Sequence, residues 1–190
     1  MSREKVIVGI DPGLSGGLVA ISSSGVVLDK MKMPTIEQRL KSKHTKGKKK
    51  GQQKTQTRVD GSALFDFLFQ FHSPLIFCEK AAPMFGVSTN VNFRMGHGAG
   101  VIEGIAKAMQ LEWNEISPRD WQKDIWMECD IVFRQKKNER VKQSSVDTKA
   151  TSLNAYERLK GDFNAVLPKC RVPHDGIVDA FLLAYYGRQR

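Results

Sequence analysis

The sequence predicts an α/β fold: a mixed five-stranded sheet, three antiparallel strands followed by alternating helices and strands, with helices on its faces. Three observations carry this. Three short β-rich runs joined by tight Gly/Ser turns open the chain. A wholly apolar run, LIFC within Pro74–Glu79, reads as a strand covered on both faces. Helical periodicities then alternate with strand patterns to the end.

In order, Lys5–Asp11 is a strand ending in a carboxylate, and Gly16–Ser22 is the second. A turn at Ser23–Gly25 leads to a third, Val26–Met33, closed by Pro34. A basic, polar and flexible insertion is expected at about 35–59, read as a loop for want of apolar residues. Asp60 caps a helix over Gly61–His72, with Leu64, Phe65, Leu68 and Phe71 on one face. The fourth strand ends at Glu79, and Ala81–Asn92 is a loop. Phe93–Gln110 is helical and Leu111–Ile116 is the last strand. Ser117-Pro118 opens a further helix with Ser as cap and Pro at its first position. A polar, basic stretch follows Glu128-Cys129-Asp130. Asp147 caps Thr148–Leu159, and a final helix runs from about Asp175 to Tyr186. At 190 residues the expectation is one domain, 1–190.

The net charge of +10 is concentrated. Between Arg39 and Arg58 stand seven Lys and two Arg with no acid, which leaves the remaining chain about neutral. Lys48, Lys49 and Lys50 are its densest run, and phosphates are the natural counterpart. Arg134, Lys136, Lys137, Arg140 and Lys142 form a second cluster. No apolar run reaches the length of a membrane span, and the start shows no signal or transit pattern. Three scattered cysteines suit neither zinc nor a disulfide framework. A cytoplasmic protein is therefore expected, and one encoded by a phage or virus and acting in its host fits too.

The carboxylates carry the chemistry. The ends of the first and fourth strands, Asp11 and Glu79, can lie side by side in such a sheet. Asp175 and Asp179 stand four apart on the last helix and share a face. Asp179 sits among Ile177, Val178, Ala180, Phe181, Leu182 and Leu183, where a lone acid is out of place. Clustered acids repel unless cations lie between them, and oxygen-only donors suit Mg²⁺ or Mn²⁺. Two ions about 3.5–4 Å apart would serve phosphodiester hydrolysis. Each acid also has a plainer reading: Asp11 as a turn starter before Pro12-Gly13, Asp175 as a helix cap.

VIVGIDPGLSGGLVAI, FCEKAAPMFG and HDGIVDAFLLAYYG, in that order, resemble the three acidic motifs of RuvC-like Holliday-junction resolvases of the ribonuclease H-like superfamily. The His-Asp-Gly run and the SPRDWQK segment resemble the viral, phage and organellar branch. The resemblance implies a ribonuclease H-like fold, a homodimer, and paired symmetric nicks in four-way DNA junctions with two Mg²⁺ or Mn²⁺ ions per site. It implies Asp11, Glu79, Asp175 and Asp179 as catalytic metal ligands. Bacterial RuvC has its two late acids three apart, whereas here they are four apart with Gly176 following Asp175. His174 therefore stands beside Asp175 as a candidate for the fourth position.

For DNA contacts the resemblance implies an aromatic residue in the loop after Glu79, which points to Phe85. Lys80, next to a metal acid, and Lys149, in a helical first turn where its charge opposes the dipole, are candidate phosphate contacts. Gly96, Gly100 and Gly104 continue to Ala108 at four-residue spacing. Each interior glycine costs about 1 kcal/mol against alanine. The smooth face admits either tight packing on the chain's own sheet or a two-fold contact with a second copy.

Other classes fit less well. The DPG opening also resembles the phosphate loop of actin-like and sugar-kinase ATPases, but the chain lacks a second Gly-rich loop, so no nucleotide cofactor is expected. A non-catalytic junction binder has no need of four acids. A related nuclease acting on other branched DNA or on RNA–DNA hybrids remains an alternative.

Overall fold

The computed structural model describes residues 4–43, 45–134 and 145–190. Three strands open it, β1 (Val6–Asp11), β2 (Gly17–Ser22) and β3 (Val27–Lys32). Then come β4 (Thr35–Lys43), β5 (Gln53–Val59), α1 (Gly61–Phe69), β6 (Leu75–Glu79) and α2 (Thr89–Ala108). The chain continues through β7 (Trp113–Ile116), α3 (Pro118–Ile125), β8 (Phe133–Arg134), β9 (Ser145–Val146), α4 (Thr148–Leu159) and α5 (Asp175–Arg188). In the second basic cluster, Lys136, Lys137, Arg140 and Lys142 lie outside the described residues.

The main sheet has the order β3-β2-β1-β6-β7, antiparallel across its first three strands and parallel from β1 to β7. This is the expected five-stranded mixed sheet. Alternation along the strands splits the core in two. Ile7, Val19, Ile21, Leu75 and Phe77 join α3, α4 and α5 on one side. Val8, Ile10, Leu18, Ile76 and Cys78 join α1 and α2 on the other. The apolar LIFC run is buried on both faces, as expected.

Caps fall where the side chains allow. Asp60 accepts from the N–H groups of Ser62 and Ala63, Ser117 from Asp120, and Asp147 from Ala150. Each satisfies donors that the first helical turn leaves unpaired.

Four expectations change. The insertion at 35–59, read as a flexible loop, contains a two-stranded antiparallel hairpin, β4–β5. Its strands are mostly polar or charged, with Ile36, Leu40 and Val59 their apolar residues, too few and too far apart for the usual apolar alternation. α2 begins four residues before Phe93, capped by backbone geometry at Ser88 with no side-chain bond. α1 is shorter than Gly61–His72, ending at Phe69 before the left-handed Ser73 turn. Its buried face is Leu64, Phe67 and Leu68, while Phe65 is exposed and stacks on Phe69.

α5 presses directly on the sheet. A Cβ at Gly9 would stand 2.0 Å from the Ala180 carbonyl oxygen. Gly176 meets the Gly16 backbone just as closely, with its would-be Cβ 2.4 Å from the Gly16 Cα. Glycine in β1, before β2 and at the start of α5 thus lets helix and sheet backbones touch.

Candidate active site

β1 and β6 are parallel neighbours with Ile10 opposite Cys78, so Asp11 and Glu79 end adjacent strands at the same sheet edge. Alternation places both on the face of Ile7, Gly9 and Phe77, which is the face α5 covers. Asp179 lies one turn into α5, directly before the Ala180 that packs on Gly9. Asp175 is one turn earlier, exposed, with His174 as the helix cap.

The three inner acids are held for different reasons. The Gly13 N–H donates to Asp11 Oδ1 at 3.3 Å, and burial pushes this carboxyl upward, with the facing His174 opposing and Asp175 adding. The Trp121 indole Nε1 donates to Glu79 Oε2 at 2.8 Å. Burial outweighs that bond and Glu79 is also raised, with Asp11 contributing. Asp179 is raised to about 7, chiefly by burial, then by the negative charges of Asp11, Glu79 and Asp175, with the Ser152 hydroxyl opposing. Its Oδ1 is buried with no hydrogen-bond partner among the described residues, as is His174 Nδ1. A buried carboxylate oxygen without a donor, facing other acids, fits a divalent cation.

The acids face one another without closing around a point. Among the described residues, no three His, Cys, Asp or Glu side chains yet stand as a ready ion-holding group. Two contacts account for part of this. Lys149 Nζ holds Asp175 Oδ2 at 2.6 Å, and Trp121 holds Glu79.

A cavity of about 720 Å³ opens beside Asp11 and Glu79. Leu14, Ala81, Ala82, Val91 and Met95 supply its apolar wall, and Lys80, Arg94 and Thr57 its polar rim. Asp175, Asp179 and His174 are not on its lining. Lys80 is exposed and reaches Glu115 at 3.9 Å. Phe85 is fully exposed in the loop after β6 and does not line the cavity. Lys48, Lys49 and Lys50 are exposed at the hairpin tip, away from the acids. Gly96, Gly100 and Gly104 form an open stripe on the outer side of α2, with nothing among the described residues within 4 Å of a Cβ at any of them. The chain's own sheet therefore does not explain the stripe.

The sequence pattern does not reveal Trp121 as the partner of Glu79, although Trp121 lies in the SPRDWQK segment. Nor does it reveal Arg94 and Thr57 on the cavity rim or Ser152 beside Asp179. A tryptophan in an amphipathic helix reads as core, and Trp121 is indeed buried. Only the fold shows where its one polar atom points.

No protein-family model matches the chain, and no curated protein matches it in sequence. Solved structures do match. Thermus thermophilus RuvC in complex with a Holliday junction substrate aligns at a TM-score of 0.51 and 12% identity, over 96% of this chain and 91% of that one. The chain has a RuvC-like fold. A second Thermus thermophilus RuvC structure aligns at 0.49 and 13%, over 95% and 92% of the two chains. At 12% identity the first of these likenesses shows the fold alone: a ribonuclease H-like mixed sheet flanked by helices. No helix among the described residues is long and apolar enough to cross a membrane.

Proposed function

We propose that the chain is a divalent-cation-dependent endonuclease that resolves four-way DNA junctions by paired, symmetric nicks. The observation that carries this is the facing of Asp11, Glu79 and Asp179 across the β1–β6 edge and α5, with one buried Asp179 oxygen left without a donor. The RuvC-like fold supports the substrate class, since its solved neighbour is bound to a Holliday junction. The His174-Asp175-Gly176 run and the SPRDWQK segment are what support an assignment to the viral, phage and organellar branch. The fold neighbours are bacterial and lend that finer assignment nothing.

Asp11, Glu79 and Asp179 would hold Mg²⁺ or Mn²⁺, with Asp175 or His174 completing the set. When bound, the cations supply Lewis-acid activation of water and neutralise charge on the phosphate and leaving oxygen. Each protein group has a task of its own. The Gly13 N–H and the Trp121 indole fix the orientation of Asp11 and Glu79 by holding one oxygen of each. Lys149 neutralises Asp175 and is the group that would exchange that carboxylate for the scissile phosphate. The fully exposed Phe85 offers a ring for junction bases to stack on. Lys80 and the basic hairpin tip supply phosphate contacts. A second copy would pack along the open stripe of α2, giving two sites for two nicks.

The test is cleavage in Mg²⁺ of a synthetic four-way junction beside linear duplex and RNA–DNA hybrid. Two symmetric nicks in the junction, at least about tenfold faster than any cut in the others, is the expected result. Equal cutting of the hybrid would replace junction resolution with a general ribonuclease H-like activity. Tight junction binding without cutting would make the chain a binder.

A further inference from the structure

Between β3 and α1 the chain leaves the main sheet and builds a ribbon that the core does not require. β4 pairs only with β5. Val59, at the root, is the one buried residue of the two strands, and β4 is exposed everywhere except at Leu40. Among the described residues only the root of β5 packs on α2, beside Phe93, His97 and Gly98, and a two-stranded ribbon so little covered is marginal by itself. This one also gathers seven Lys and two Arg between positions 39 and 58, which repel one another. Folding gains little from such an element, and a polyanion relieves its main cost.

Its placement gives the polyanion a position. Thr57, near the root, stands on the wall of the cavity that Asp11 and Glu79 share. Thr57 faces Glu37, Thr55 faces Arg39 and Gln53 faces Lys43 across the strands. By alternation these pairs share one ribbon face. The face that begins at the catalytic cavity therefore continues outward mainly as hydrogen-bond donors and cations. The register slips between Arg39 and Lys43, and a bulge of this kind increases right-handed twist. At the tip, two successive turns with left-handed Gly47 and Gly51 compact Lys48, Lys49 and Lys50 into one cluster.

We propose that this ribbon enters the major groove of one duplex DNA arm beside the branch point and grips that arm at a distance from the scissile bond. The inference rests on the junction-cleaving reading above. Dimensions agree. The groove is about 12 Å wide and admits a two-stranded ribbon. The seven residues of β5 span about 23 Å at about 3.3 Å each, or roughly seven base pairs of B-form rise. The tip lysines thus meet phosphates more than half a turn from the cut. The major groove of an A-form duplex is too narrow and deep for side chains, so a duplex DNA arm is favoured over RNA.

The experiment compares wild type with the quadruple variant Lys46→Gln, Lys48→Gln, Lys49→Gln, Lys50→Gln. These positions are exposed and bury nothing, and an unchanged urea midpoint verifies the fold. Four-way junctions are made with arms of about five or about twelve base pairs, and binding is measured in Ca²⁺ across salt. Wild type should bind the long-armed junction at least about tenfold more tightly than the short-armed one, and the variant should bind both alike. The slope of log K against log salt should fall by about 3 to 4 in the variant, close to one per lost phosphate contact. Dimethyl sulfate should show guanine N7 protected about five to eight base pairs from the cut by wild type and not by the variant. Arm-length dependence and N7 protection that persist in the variant would overturn the proposal. So would protection at adenine N3, which lies in the minor groove. An equal loss of binding to duplex RNA or anionic phospholipid vesicles would overturn it in favour of unspecific polyanion contact. A wild type that protects the long arm yet cuts no junction would support the ribbon and sink the nuclease reading.

Discussion

At the scale of single residues, Asp179 is the most informative group. Its folded-state value of about 7 lies well above the ordinary 3.8, so the native chain keeps a proton that the unfolded chain releases. Stability from this group is fully present below 3.8 and is lost as pH rises through about 7. Asp179→Asn removes that dependence. In EDTA, the variant's melting temperature should gain on wild type by several degrees between pH 5 and pH 8. Mg²⁺ should restore wild type at pH 8 and do little for the variant. A melting difference that is the same at both pH values would mean Asp179 is not held protonated by its surroundings. Asp179, Asp11 and Glu79 were legible in the sequence because acids that end apolar strands or interrupt an apolar helix need a reason. Trp121 and the Lys149–Asp175 pair were not. Their partners lie 42 and 26 residues away, and no local spacing links them.

At the scale of elements, the contact of α5 with β1 sets the site. Gly9→Ala would push a methyl against the Ala180 carbonyl and the Ala184 amide, at 2.0 and 2.4 Å. Backbone cannot yield as a side-chain tip can. We expect a loss of at least about 1–3 kcal/mol in urea unfolding, with Asp179 drawn away from Asp11. Gly104→Ala, measured at a concentration low enough that the chain is monomeric, serves as the control. Its Cβ enters open space, and it should be neutral or stabilising by up to about 1 kcal/mol. Equal stability of the two variants would mean that helix and sheet are not pressed together. The main sheet and most helices were legible because apolar periodicity and capping residues mark them. The β4–β5 hairpin was not, because a ribbon with no buried face leaves no apolar alternation to read. The early turn of α2 was hidden likewise, since Ser88, Thr89 and Asn90 read as loop.

At the scale of the whole molecule, one chain offers one set of acids, while a junction must be cut twice. The stripe of Gly96, Gly100 and Gly104 lies on the side of α2 away from buried Gly98, Ile102 and Ala106. Gly100→Val and Gly104→Val should therefore fold, yet sediment as monomers under conditions where wild type is expected to dimerise. On a cruciform plasmid they should produce single nicks in place of resolution. Wild type that stays monomeric at micromolar concentration with junction DNA present would refute the second copy. The spacing of the stripe was legible in the sequence, but not which way it faces, because either partner satisfies the same pattern. If the acids at the β1–β6 edge and on α5 carry cation-dependent cleavage, each is needed for cutting and none for binding. The most direct test is junction cutting in Mg²⁺, with binding measured separately in Ca²⁺, for Asp11→Asn, Glu79→Gln and Asp179→Asn. Each variant should bind the junction within a few-fold of wild type and cut it at least about 10³-fold more slowly. Near-normal cutting by any of the three would contradict this assignment.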